Sequence, residues 1–386
     1  MMGAPARAPD PEVAMPRSRR DVLQTVLLVV AVLAGLVAVR WAVTGGSGRS
    51  LAPPALTSAP SRPDRGPART IAAPPRTRLS LGGRQPIVVN PAGGTVTRLP
   101  FNPRSRTVLF RQGAHTVFVS NERAWAAPAG RVAPLRPLGR ALAVLPALVD
   151  DRVWLVDARY GEPEAQLYEL VEVGLADGRT HTRWTLPYQA APVAVLPSGV
   201  LARDPEDNLQ VVAPGSGRVR TVLARAATFV DARDGRVAWV EGRDLHVRDL
   251  ATGTDTVVPP PPGSPDWYAL GGPVPRVACC YGLGAFDPAG RTLAVYTRLA
   301  GPGAPGLAIV DLVRGSAALL PGSEDATPTG CLPCLGWASN GWLYFFAAGP
   351  AVTSIGAWRG GAGPAGLLPL DLDGVLDSVP SALAAN

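Results

Sequence analysis

The sequence predicts an all-β protein, a β-propeller of seven blades (six as the alternative), preceded by one transmembrane helix and a disordered linker. Three observations predict it. A single long apolar run lies near the amino terminus. At Pro86 the chain changes from Pro/Arg-rich sequence to short apolar runs broken by Gly-containing turns. From there a hairpin pattern recurs at a mean spacing of about 45 residues, the period of four-stranded propeller blades.

Residues 1–21 are a short Pro-rich tail ending in Arg17, Arg19 and Arg20. Val22 to Val39 then holds only Gln24 and Thr25 as polar residues. Counting on to Val43, with Arg40 reaching back to the headgroups and Trp41 at the interface, gives a segment long enough to span a bilayer as a helix. A cleaved signal peptide is the rival reading. Bulky Arg40 and Trp41 stand where a small-residue cleavage site would fall, so the uncleaved anchor Val22–Val43 is preferred. The three preceding Arg put the amino terminus in the cytoplasm and residues beyond 43 outside it.

Residues 44–85 form a Gly/Ser and then Pro/Arg/Ala linker, read as an extended tether. Charge is uneven along the chain. All 37 basic residues are Arg, and residues 1–84 carry 12 of them against Asp10, Glu12, Asp21 and Asp64. The remainder has 25 Arg and 26 acids, a net of −1. A nucleic-acid-binding domain is not supported, because the basic charge belongs to the tail and tether.

Residues 86–380 are assigned to the extracytoplasmic propeller. Seven hairpins turn at Gly94, Gly130, Gly178, Gly217, Gly253, Gly315 and near Gly363. Between them lie six further hairpins, at Thr107–Ser120, Ala141–Ala158, Ala191–Arg203, Thr228–Glu241, Gly284–Thr297 and Leu335–Ala347. The unit Phe286–Leu320 is the clearest copy. Four short strands cannot bury both faces alone and must stack on copies of themselves. The hairpin Ile87–Leu99 has no partner, so the two chain ends are expected to share one blade. Val375–Val379 is the candidate closing strand.

Within these repeats, FDPAGRTLAVY (Phe286–Tyr296), WASNGWLYFF (Trp337–Phe346) and VDARDGRVAWV (Val230–Val240) resemble the repeat of TolB-like and WD-like bacterial β-propellers. Pro is absent from the second and third copies. The resemblance spans residues 86 to about 370 and implies a fold without choosing a function.

Cys279 and Cys280 precede one of these units, and Cys331 and Cys334 precede the next. They fall in the loops entering the innermost strands of adjacent blades. Outside the cytoplasm a clustered even number of cysteines points to disulfides, here two bridges with three possible pairings. Thiol redox and metal binding are the rivals. The Cys-x-x-Cys at 331–334 has no thioredoxin-like surroundings, and adjacent Cys279 and Cys280 do not make a zinc knuckle. The same insertion holds four consecutive prolines, Pro259–Pro262, and three aromatics, Trp267, Tyr268 and Tyr281, as candidate ligand or partner contacts.

Other chemistry is excluded or bland. His115, His181 and His246 lie far apart with no ligand spacing. Asp371–Asp377 has its Gly at the wrong position for a calcium loop. Asp150, Asp151, Asp204, Glu206 and Asp207 read as loop acids. There is no Gly-x-Ser-x-Gly, phosphate loop or dinucleotide fingerprint. No cofactor and no metal are called. The expected function is a membrane-anchored scaffold binding an envelope protein or cell-wall ligand. The alternative is a propeller enzyme, hydrolase- or lactonase-like, with a site at the channel mouth.

Overall fold

The computed structural model describes residues 69–72, 77–101, 107–131, 133–159, 167–268, 283–299, 305–326, 335–347, 354–361, 363–370, 372 and 383–385. The chain divides into two compact units, Met1–Gly66 and Pro67–Asn386, and every described residue belongs to the second. No helix among the described residues is long and apolar enough to cross a membrane. The anchor read at Val22–Val43 lies outside them.

The described residues form seven antiparallel sheets. Leu79–Leu81 (β1), Ile87–Asn90 (β2) and Thr95–Arg98 (β3) begin the first blade. Val108–Gln112 (β4), His115–Ser120 (β5), Arg123–Pro128 (β6) and Arg136–Arg140 (β7) make the second. The third holds Ala143–Pro146 (β8), Arg152–Arg159 (β9), Leu167–Gly174 (β10) and Thr180–Pro187 (β11). Ala191–Leu196 (β12), Gly199–Arg203 (β13), Leu209–Val212 (β14) and Val219–Ala224 (β15) form the fourth. Thr228–Arg233 (β16), Arg236–Glu241 (β17), Asp244–Asp249 (β18) and Asp255–Val258 (β19) form the fifth. The sixth has five strands, Asp266–Trp267 (β20), Gly284–Phe286 (β21), Thr292–Arg298 (β22), Pro305–Asp311 (β23) and Ser316–Leu319 (β24). Leu335–Trp337 (β25), Trp342–Ala347 (β26), Ser354–Arg359 (β27) and Gly366–Leu367 (β28) complete the seventh.

The last strand, Leu383–Ala385 (β29), returns to the first blade and pairs antiparallel with β1, Leu79 opposite Ala385. The chain is therefore a seven-bladed β-propeller whose ring is closed by one carboxy-terminal and three amino-terminal strands. The expected sharing of a blade by both chain ends holds, and two of its details are corrected. The closing strand is β29, while Val375–Val379 lies outside the described residues. The propeller also begins earlier than residue 86. Ser80 sits between Leu79 and Leu81 in a segment flanked by Arg78 and Arg84, and three residues are too few to show a period. Only pairing with β2 and β29 reveals the strand.

Sequence texture follows position in the blade. Second strands are covered on both faces by neighbouring blades and read as continuous apolar runs; Leu343, Tyr344, Phe345, Phe346 and Ala347 are all buried. Outermost strands are wet and polar, as in β11, where Thr180, His181 and Arg183 sit toward solvent. The core lies between blades. One cluster joins Phe110, Trp154 and Tyr168, and another joins Leu79, Tyr296, Tyr344 and Leu383 across the closure.

All seven predicted Gly turns carry positive φ, from 61° at Gly363 to 75° at Gly253. At three of them the bonding is identical. The Gly N–H donates to the carbonyl four residues earlier, as Gly178 to Gly174, Gly217 to Ala213 and Gly253 to Asp249. An L side chain is strained in that left-handed conformation, which is why Gly marks the repeat so reliably.

Candidate functional site at the central channel

In a propeller the innermost strands ring a channel, and their connections share out between two faces. Because strands alternate in direction, first-to-second and third-to-fourth turns emerge on one face, the turn face. Second-to-third connections and the links to the next blade emerge on the other, the connection face. The two mouths of the channel differ accordingly.

At the turn-face mouth, side chains of the inner strands bond to the backbone of their neighbours. Arg111 near the end of β4 donates from Nη1 to Ala385 O at 3.2 Å and from Nε to Gly113 O at 3.0 Å. Gln112 donates from Nε2 to Ala147 O at 3.0 Å and Val149 O at 3.1 Å, in the turn after β8. Asp231 of β16 accepts from Phe286 N at the end of β21 at 2.8 Å. Its other oxygen accepts from Ala232 N at 2.8 Å. Trp337 of β25 donates from Nε1 to Ala285 O at 3.0 Å. Four blade-to-blade junctions are thus laced at this mouth.

Burial shapes the charges there. It pushes the Asp231 carboxyl up to about 6, against the opposing pull of the Phe286 and Ala232 N–H groups and of Arg233. Asp231 keeps partial exposure because it borders the channel, while protein surrounds it on most sides. Burial also lowers Arg111 from its ordinary value, with Asp150 opposing the shift. Both oxygens of Asp231 are occupied by backbone donors, so the group acts as a strut between blades five and six.

The connection face is built differently. Between described strands, its three longest connections are 268–283, 320–334 and 368–382. They enter β21, β25 and β29, three consecutive inner strands that neighbour one another. The first has an unusual root. Tyr268 N–H donates to Tyr296 O at 3.1 Å, and Tyr296 N–H donates to Leu283 O at 2.9 Å. One strand residue normally supplies both halves of such a pair. Here two residues share the task, so β20 and β21 act as one interrupted innermost strand and residues 269–282 are inserted at a single strand position.

Of the contact residues called from sequence, Trp267 is in the core. It is 1% exposed, packs among Val258, Leu293 and Val310, and donates from Nε1 to Val258 O at 3.3 Å. Its pairing opposite Thr297 turns the indole into the blade interior, so it cannot present a surface to a partner. Tyr268 is partly exposed, its ring 6.4 Å from that of Tyr296. Tyr281 and Cys279, Cys280, Cys331 and Cys334 lie outside the described residues. The loop acids are structural where described: Asp204 caps its turn through Glu206 N and Asn208 N, and Asp207 pairs with Arg203 at 3.3 Å. His246 stacks on Trp239 and meets Asp255 at 3.4 Å. Among the described residues no cluster of His, Cys, Asp or Glu is arranged to hold a metal.

Sequence reasoning missed Arg111, Gln112 and Asp231. Each lies in the last half of an innermost strand, before the first tight turn of its blade. A charged or amide side chain at that register was the available signal.

Among the described residues, clefts open on the turn face at two blade junctions. One of about 450 Å³ lies between blades two and three, lined by His115, Pro128, Pro134, Leu135 and Leu175. The other, about 410 Å³, lies between blades five and six, where Arg236 and Asp249 pair at 3.6 Å. Neither converges on the groups of the channel mouth.

No protein-family model matches this chain, and no curated protein matches its sequence. Solved structures do match. TolB from Acinetobacter baumannii aligns over 80% of this chain and 66% of its own, at 10% identity and a TM-score of 0.43. An oligogalacturonate lyase from Vibrio parahaemolyticus aligns over 72% and 85%, at 12% identity and 0.49. A puromycin-hydrolyzing peptidase from Mycobacterium tuberculosis aligns over 82% and 57%, at 18% identity and 0.45. The chain thus spans just under two thirds of the TolB structure and somewhat over half of the peptidase. These likenesses concern the fold.

Proposed function

We propose that this chain is a membrane-anchored, extracytoplasmic binding scaffold of the cell envelope, taking an envelope protein or cell-wall ligand on its connection face. One observation carries the proposal: the three longest connections enter three consecutive inner strands, β21, β25 and β29. They are rooted side by side at one sector of the channel mouth. Binding surfaces concentrate on connections held by a rigid scaffold, and the laced turn-face mouth supplies the rigidity. The apolar run Val22–Val43 and the Pro/Arg-rich stretch after it support the anchor and tether.

The enzymatic alternative has less support. Asp231 is the described carboxyl with a raised pKa, and its oxygens already serve two backbone donors. Cys279, Cys280, Cys331 and Cys334 belong to two of the three connections, and two disulfides among them would pin the sector.

The test is capture of envelope proteins or wall polymer by the full chain in detergent, comparing wild type with Tyr268→Ala, Tyr281→Ala and a variant carrying three Gly in place of 269–282. Loss of capture in folded variants supports the proposal, and unchanged capture rejects this face. Chelator-sensitive hydrolysis by the intact chain would instead favour the enzyme. Thiol titration of denatured, unreduced protein should find no free thiol; four free thiols would remove the disulfides.

A further inference from the structure

The outer edge of the seventh blade differs from the other six. Its outermost strand, β28, is two residues long, Gly366–Leu367, and continues into apolar Leu368 and Leu370. Five of the six other outermost strands carry Arg or Asp, the charges that discourage pairing of an exposed sheet edge. β28 carries none. Its edge is instead covered by the chain's own residues 69–72.

That cover is a strand-like pairing. Thr70 bridges Leu367 in parallel. Ile71 N–H donates to Leu367 O at 3.0 Å, and Leu367 N–H donates to Arg69 O at 2.8 Å. The Ile71 side chain packs against the cluster that holds Leu368 and Trp358. Gly366 makes the approach possible: a Cβ there would stand 2.6 Å from both Arg69 O and Ile71 Cγ2. Backbone bonds for affinity, one apolar socket for specificity and a small residue for clearance are the elements of strand-addition sites.

We propose that the edge of β28 is a strand-addition site, occupied in cis by Arg69–Ala72 and able to take an extended peptide with a β-branched aliphatic residue at the Ile71 position. Two backbone bonds and one side chain are a small interface, and residues 69–72 lie within the stretch 44–85 that the sequence reads as tether. The site's apparent affinity for an outside strand is set by how often the cis segment leaves it.

The test uses the full chain in detergent with Ile71→Pro, which removes the N–H that bonds Leu367 O, and Ile71→Asp, which keeps the N–H and places a carboxylate against the apolar socket. The probe is a fluorescent peptide of residues 67–73. Hydrogen exchange should show Leu367 N–H protected in the wild type and faster in either variant. The peptide should bind the variants at least about ten-fold more tightly than the wild type and restore that protection. A peptide with Asp at the Ile71 position should not bind. Equal exchange of Leu367 N–H in wild type and a folded variant overturns the cis pairing. Equal peptide binding by all forms, or binding by none while Leu367 is deprotected, overturns the strand-addition site.

Discussion

The two faces of the disc obey different rules. On the turn face, connections are short and stereotyped, each of the seven third-to-fourth turns has a glycine with left-handed φ, and four blade junctions are bonded around the channel mouth. On the connection face, lengths range from the two-residue turn 121–122 to the excursion 268–283. A residue on the turn face answers to the blade repeat. Residues near the roots of the long connections still join the core, as Ala326 and Leu372 do, while binding residues concentrate on connections held by a rigid scaffold. Stability and binding should therefore separate between the faces, and substitutions can break or sharpen that division.

The largest stability effect is expected at Gly113. It holds φ of 53°, and a Cβ there would stand 2.5 Å from Asp150 O, so the third blade's turn must move as well. Gly113→Ala should cost roughly 2–4 kcal/mol, measured by denaturant unfolding. Arg111→Met comes next, removing the bonds to Ala385 O and Gly113 O that help close the ring, at about 1–3 kcal/mol.

Asp231 offers a test by pH. Its carboxyl titrates at about 6 in the folded chain against an ordinary value of 3.8, so the folded state holds the proton more tightly. Its contribution is full below pH 3.8 and is lost as pH rises through 6. Asp231→Asn should flatten that part of the stability–pH curve, and an unchanged curve would show the carboxyl to be unshifted.

Gly253→Ala should cost only about 1 kcal/mol, because φ is 75° but a Cβ would meet nothing within 4 Å. The smallest effect is expected on the other face. With the cysteines of both proteins reduced, replacing 269–282 by three Gly should change stability by less than about 1 kcal/mol, since Tyr268 and Leu283 are already held by Tyr296 and loop-closure entropy varies slowly with length. The same variant should lose capture of its partner. A large loss of stability there would end the division between faces.

The blade repeat was legible because its signal is local. A turn that needs left-handed φ selects Gly, and strands covered on both sides select unbroken apolar runs such as Leu343–Ala347. All seven predicted turn glycines and all six predicted first hairpins coincide with strand pairs. The candidate site was less legible. Trp267 reads as an exposed loop aromatic among prolines, yet pairing opposite Thr297 buries it. Arg111 and Asp231 look like ordinary surface charges, because the backbone atoms they bond belong to strands 274 and 55 residues away.

By itself, then, the sequence determined the blade repeat and its turns, properties settled within about 45 residues of chain, and favoured seven blades over six. Tertiary structure alone decided how the ring closes and which polar groups lace its mouth. It also set the root of 269–282 at a single strand position and the cover that Arg69–Ala72 gives the seventh blade. Those features depend on which distant backbone groups meet, and hydrogen bonds between remote strands leave no period in the sequence.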